Sequence, residues 1–134
     1  MLNRYLDVFA SLDSQGVRYV VIGGIAAVVH GVPRATFDLN LLIDASMDNA
    51  KKLLQAFEKA NLGTALLTTA DDLLHQEITI FQDRVRIDVQ TSTPGVRFAE
   101  AWEHRKTFIF QRVRIEIYRT RGSDCDKTLH WSRC

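Results

Sequence analysis

The sequence predicts an α/β fold, more loosely α+β, built as one domain. Three observations carry that reading. An amphipathic helical stripe opens the chain. A short apolar run, Val17 to Ile22, leads straight into Gly23 and Gly24. Two similar strand–turn–strand segments, IFQDRVRIDVQ and IFQRVRIEIY, occupy 80–90 and 109–118. A chain of 134 residues matches the usual size of one domain and can bury a core of its own.

The elements follow in order. Leu2, Tyr5, Leu6, Phe9 and Leu12 recur at helical spacing over 2–14, and Gly16 is placed to end that helix. Val17 to Ile22 is β-rich and short enough for a buried strand. Ile25 to His30 is Ala-rich and reads as a short helix, closed by Gly31 and Pro33. Phe37 to Ile43 is the second strand. Ser46 is the expected N-cap of a helix from Met47 to Ala60, with Leu53, Leu54 and Phe57 inward and Gly63 as its stop. Thr68 to Leu74 reads as a capped helical turn, and Gly95 to His104 as a short helix carrying Phe98 and Trp102. The two hairpins align with a one-residue gap at Asp83. Nothing else in the chain repeats, so this is shared hairpin composition rather than a repeat architecture. The domain spans 1–118. Residues 119–134 show neither helical stripe nor alternation and read as an irregular tail.

Composition sets limits. Seventeen basic against sixteen acidic residues leave a formal charge of +1, so there is no general electrostatic case for nucleic acid. Both cysteines, Cys125 and Cys134, fall in the last ten residues, which is not a secreted disulfide pattern. No run of apolar residues is long enough to span a membrane, and the first residues carry no signal-peptide core. The expectation is a cytoplasmic protein with reduced thiols.

The candidate chemistry lies between Val20 and Asp44, with one contribution from further on. Gly23 and Gly24 end a strand and open a helix, where backbone N–H groups can meet an anion. On the pair alone, a tight turn is the plainer reading. Asp38 and Asn40 stand two apart on a strand, so they share a face, opposite Phe37, Leu39 and Leu41. Oxygen ligands at that spacing can share a Mg²⁺ that also holds nucleotide phosphates. Asp88 shares a strand face with Arg86 and Gln90, and is the expected third ligand or a general base. For Asp88 alone a solvent-facing role competes, because Glu116 holds the matching place in the second hairpin. Arg34 suits a phosphate and Thr36 could fix its loop, against the plain alternative of a solvated loop charge. His30, His75, His104 and His130 show no metal-ligand spacing, and Ser14 and Ser92 have no base partner.

Taken in order, IGG at 22–24, HGVPRAT at 30–36, DLN at 38–40 and RIDVQ at 86–90 resemble the minimal nucleotidyltransferases. These are stand-alone and toxin-type prokaryotic proteins with a DNA-polymerase-β-like fold. The resemblance covers roughly residues 15–118. It implies a mixed central β-sheet flanked by helices, with the site at the end of the first two strands. Gly23 and Gly24 then match the phosphate-contacting turn, Asp38 the first metal carboxylate and Asp88 the third. Mg²⁺ would be the cofactor and a nucleoside triphosphate the substrate, with the nucleoside monophosphate passed to a hydroxyl acceptor. Asn40 departs from the pattern, standing where a second carboxylate belongs. The helices that usually follow the last strand are also missing from the pattern. A shortened, degenerate member is therefore expected, and apolar surface left uncovered favours a homodimer. Three functions compete on this reading: an active transferase, a nucleotide- or phosphate-binding domain without catalysis, and an oligomeric interaction module.

Overall fold

The computed structural model describes residues 2–22 and 38–118. A short 3₁₀ turn, Leu2–Tyr5, runs into α1 (Leu6–Ser14). Then come β1 (Tyr19–Ile22), β2 (Asp38–Ile43), α2 (Met47–Lys59), a 3₁₀ turn (Gly63–Leu67) and α3 (Ala70–Leu74). The hairpin β3 (Ile78–Gln82) and β4 (Arg86–Gln90) follows, then α4 (Phe98–Glu103) and the hairpin β5 (Lys106–Phe110) and β6 (Val113–Ile117).

The strands form one six-stranded sheet in the order β3-β4-β2-β1-β6-β5. It is mixed. β1 runs antiparallel to β2 and parallel to β6, while β2 runs parallel to β4. Both outer pairs are antiparallel hairpins. The fold is thus α+β, as the sequence predicts. The Ile25–His30 helix, Phe37 and the tail after Tyr118 lie outside the described residues.

One face of the sheet carries the main core. Tyr19 and Val21, Leu39 and Leu41, Ile87 and Val89, and Ile115 and Ile117 all bury there against Phe9, Leu12, Leu53 and Phe57 of α1 and α2. Phe57 meets Phe81 edge-on, ring centroids 5.0 Å apart. The other face is covered more sparingly. Val20 and Leu42 bury beneath Ala101 of α4, with Phe98 and Trp102 packed around them. β1 is therefore apolar on both faces, as a strand inside a mixed sheet must be. Ile78 and Ile80 of the edge strand β3 stay exposed.

Both long helices close where expected, each on a left-handed residue. In α1, the Gly16 N–H bonds the Asp13 carbonyl and the Val17 N–H bonds the Leu12 carbonyl, with Gly16 at φ +69°. That is a Schellman closure. It uses Val17 as part of the cap, so β1 starts at Tyr19 rather than Val17. α2 begins as expected, with the Ser46 hydroxyl accepting from the Asn49 N–H at 3.2 Å. It ends at Lys59 with Ala60 as its C-cap, as expected, but Gly63 is not the residue that stops it. Asn61 takes the left-handed conformation at φ 65°, and the Leu62 N–H reaches back to the Phe57 carbonyl. Asparagine tolerates that conformation, so the helix closes two residues before the glycine.

Asn49 is the buried polar clamp of the fold. Its amide oxygen accepts from the Arg18 N–H at 2.8 Å, and its amide nitrogen donates to the Arg18 and Asp44 carbonyls. One side chain thus ties the start of α2 to the beginning of β1 and the end of β2. That fixes the pairing of the two strands that frame the candidate site.

Candidate functional site

Alternation sets the faces, and pairing sets the neighbours. On β2, Leu39 and Leu41 are buried while Asn40 is half-buried on the opposite face. On β4, Ile87 and Val89 are buried while Arg86, Asp88 and Gln90 are half-buried. The β2–β4 register places Asn40 opposite Asp88 and Asp38 opposite Arg86. In a parallel pair, opposed residues share a face. Asn40 also pairs with Ile22, the last residue of β1. The cluster therefore sits at the C-terminal end of β1, the end from which the chain continues into Gly23 and Gly24. Gly23, Gly24, Arg34 and Thr36 themselves lie outside the described residues.

Asp88 meets Asn40 rather than Asp38 across the ladder. Its nearest charged partner is on its own strand. The Arg86 Nε lies 3.0 Å from the Asp88 Oδ1, and the Asp88 side chain is 17% exposed. The Tyr5 hydroxyl donates to the Arg86 carbonyl at 3.2 Å, anchoring the start of β4 from the core side. On the outer strand, the residue opposite Asp88 is Ile80, which offers no donor. Sequence reading placed Arg86 on the same face as Asp88 but gave it no role. Its two-residue offset on a strand was the signal.

A divalent cation is what the resemblance in sequence implies here. The donor set does not fit one well. Mg²⁺ asks for carboxylate oxygens at close octahedral range. One position offers a neutral amide, Asn40, and one carboxylate, Asp88, is already paired with a guanidinium. Across Asp38, Asn40, Arg86 and Asp88 the formal charge is −1, where three unpaired carboxylates would give −3. No group of three or more metal-ligating His, Cys, Asp or Glu side chains occurs among the described residues.

A second polar cluster lies on the same face at the other end of β1. Glu116 is buried and accepts a hydrogen bond from the Thr107 hydroxyl. Its Oε2 lies 3.4 Å from Arg105 Nε and 3.8 Å from a terminal nitrogen of Arg114. Arg105 stacks over Trp102, 3.6 Å from the ring centroid, and donates to the Trp102 carbonyl. The Tyr19 hydroxyl accepts from the Glu116 N–H at 3.2 Å, and burial pushes its phenol well above the usual range. Arg18, paired with Asp44 at 3.3 Å, completes the rim of a cavity of about 210 Å³.

Comparison with solved structures finds the same architecture. A "putative nucleotidyltransferase" from Thermotoga maritima superposes with a TM-score of 0.56 at 12% identity, covering 87% of this chain and 76% of that one. No family model matches the sequence, and no curated protein matches it. The fold is nucleotidyltransferase-like. Among the described residues no helix is long and apolar enough to cross a membrane.

Proposed function

We propose that the protein binds a nucleoside triphosphate at the C-terminal end of β1 and the start of β2, and that nucleotidyl transfer at this site is weakened or lost. One observation supports the reading above the others. The position opposite Asp88 is an asparagine, and Asp88 is engaged by Arg86. The site keeps groups that can handle a phosphate while losing negative charge that would gather a dication. The nucleotidyltransferase-like fold makes a nucleotide the natural ligand to test, although fold alone does not assign an activity.

An active Mg²⁺-dependent transferase is the second reading. It is favoured by the retention of Asp38 and Asp88 on neighbouring strands of one sheet. Titration calorimetry with each nucleoside triphosphate, paired with a search for labelled product on protein, RNA and small hydroxyl acceptors, separates the two. Binding without product supports the binding domain. Product that disappears in Asp38→Ala and Asp88→Asn would replace it with the transferase. No nucleotide binding at all would refute both and leave an interaction module.

A further inference from the structure

We propose that the cavity at the N-terminal end of β1 binds a small monocarboxylate, held by the guanidinium groups of Arg105 and Arg114. This cavity lies at the opposite end of β1 from the cluster of Asn40 and Asp88. The inference stands apart from the nucleotide-binding reading.

Donors come first. Arg18, Arg105 and Arg114 all line the cavity. Among the described residues, none of the three donates a hydrogen bond to a carboxylate. Arg18 stops 3.3 Å from Asp44, Arg105 stops 3.4 Å from Glu116, and Arg114 stops 3.8 Å from the same Glu116 oxygen. The other Glu116 oxygen is taken by the Thr107 hydroxyl. Two guanidiniums therefore share one oxygen. The Arg105 Nε is shut off from solvent and has no hydrogen-bond partner there. A guanidinium carries several N–H donors and no acceptor, so around this cavity donors outnumber acceptors. Arg105 is also held in place before any ligand arrives. It stacks over the Trp102 ring at 3.6 Å and donates to the Trp102 carbonyl at 2.6 Å. A group fixed in that way loses little freedom on binding. Both Arg105 and Arg114 still reach solvent.

Charge and size then choose the ligand. The lining sets three guanidiniums against Asp13 and Glu116, and Asp44 beside Arg18 brings the surroundings to neutrality. A neutral neighbourhood exerts no long-range pull on a polyanion. Selection falls to the short-range donors. A planar carboxylate meets a guanidinium fork with two parallel hydrogen bonds at the cost of a single negative charge. The cavity of about 210 Å³ has room for roughly seven waters at ~30 Å³ each. That suits an acid of a few carbon atoms. Val17 and the Tyr19 ring give its body an apolar wall.

The test is titration of the full chain with sodium acetate, against sodium chloride at equal ionic strength. Trp102 fluorescence is the readout, because Arg105 stacks on that ring. The titrated protein carries Trp131→Phe, which removes the second tryptophan. A saturable change with acetate and none with chloride is expected, with a matching rise in the thermal midpoint. Arg114→Gln should weaken acetate binding on the order of tenfold, the scale of one lost charge-assisted contact. Arg114→Lys should lose less, keeping the charge but not the fork. Arg112→Gln removes a charge from the same hairpin but outside the cavity lining, and should leave binding unchanged. If Arg114 serves only to steady Glu116, Arg114→Gln will lower the thermal midpoint and leave the acetate titration as it was, which overturns the proposal. Tighter binding of inorganic phosphate than of acetate would overturn the carboxylate assignment. No saturable response to acetate in either signal would overturn the site itself.

Discussion

The two hairpins carry the same local pattern and put it to different use. Each inner strand has an arginine, an isoleucine and an acid in succession: Arg86, Ile87 and Asp88 on β4, and Arg114, Ile115 and Glu116 on β6. In both, the arginine turns along its own strand toward the acid, at 3.0 Å in the first and 3.8 Å in the second. The outer strands make the difference. Opposite Glu116 stands Thr107, whose hydroxyl donates to it. Opposite Asp88 stands the exposed Ile80, which cannot. Arg105 and the packing of Trp102 then close over Glu116, whereas no further donor approaches Asp88 among the described residues. Glu116 spends its oxygens on holding β6 to its neighbours. Asp88 keeps an oxygen for something else.

The comparison is broken most forcefully at Glu116. Replacing it with alanine strips Arg105 and Arg114 of their common partner and strands the Thr107 hydroxyl. Breaking a fully buried pair costs about 3–5 kcal/mol. These arginines reach water, at 27% and 53% side-chain exposure, so roughly 2 kcal/mol is expected. Urea unfolding measures it, and nucleotide affinity should be unchanged. A loss of affinity without a loss of stability would mean that Glu116 is not the structural member of the pair.

Asn40→Asp sharpens the other side. A second carboxylate next to Asp88 should raise affinity for the Mg²⁺–nucleotide complex by about tenfold and lower metal-free affinity. Titration calorimetry in EDTA and in excess Mg²⁺ reads both changes. Unchanged affinity in both would place Asn40 outside the site.

Thr107→Val comes next. It keeps the shape, removes one hydrogen bond to a buried acid and should cost about 1 kcal/mol in chemical denaturation. The same measurement on Ile80→Val, which loses only part of an exposed side chain, gives the baseline.

The smallest effect is a pH effect in the turn of the first hairpin. Asp83 accepts from the Thr64 N–H at 3.0 Å and the Arg84 N–H at 2.8 Å, and these bonds hold its carboxyl below the usual range. A lowered folded-state pKa means that its contribution is present above the ordinary carboxylate pKa, about 4. It is lost as pH falls through the lower folded value. Acid denaturation curves of the natural protein and Asp83→Asn should converge at low pH. Curves that stay parallel throughout would remove that role.

Much of this was legible in the residues because a strand's alternation fixes its faces. The buried and half-buried sides of β2 and β4 follow from Leu39, Leu41, Ile87 and Val89 alone. The one-residue gap at Asp83 is the difference in turn length: three residues, 83–85, against the two left-handed residues Gln111 and Arg112. Alternation does not say which strand lies beside which, nor in what register. That is why Asp88 could be assigned a face but not its neighbour Asn40. The α2 stop was misplaced because asparagine and glycine both accept the left-handed cap, and the glycine is the louder signal. Arg86 was passed over because a charge at the edge of a strand is usually solvated. Only its distance to Asp88 shows otherwise.

The sheet order has a consequence for the chain as it is made. β1 sits at the middle of the sheet, between β2 and β6. It can pair with β2 early, but its other edge waits for residues 113–117, almost a hundred positions later. Until they leave the ribosome, the nascent protein carries an open, apolar strand edge flanked by Val20 and Val21. Unpaired edges of that kind recruit other chains. The closing hairpin of β5 and β6 is local and can form by itself before it docks. Its arrival both completes the sheet and retires the most adhesive surface of the growing polypeptide.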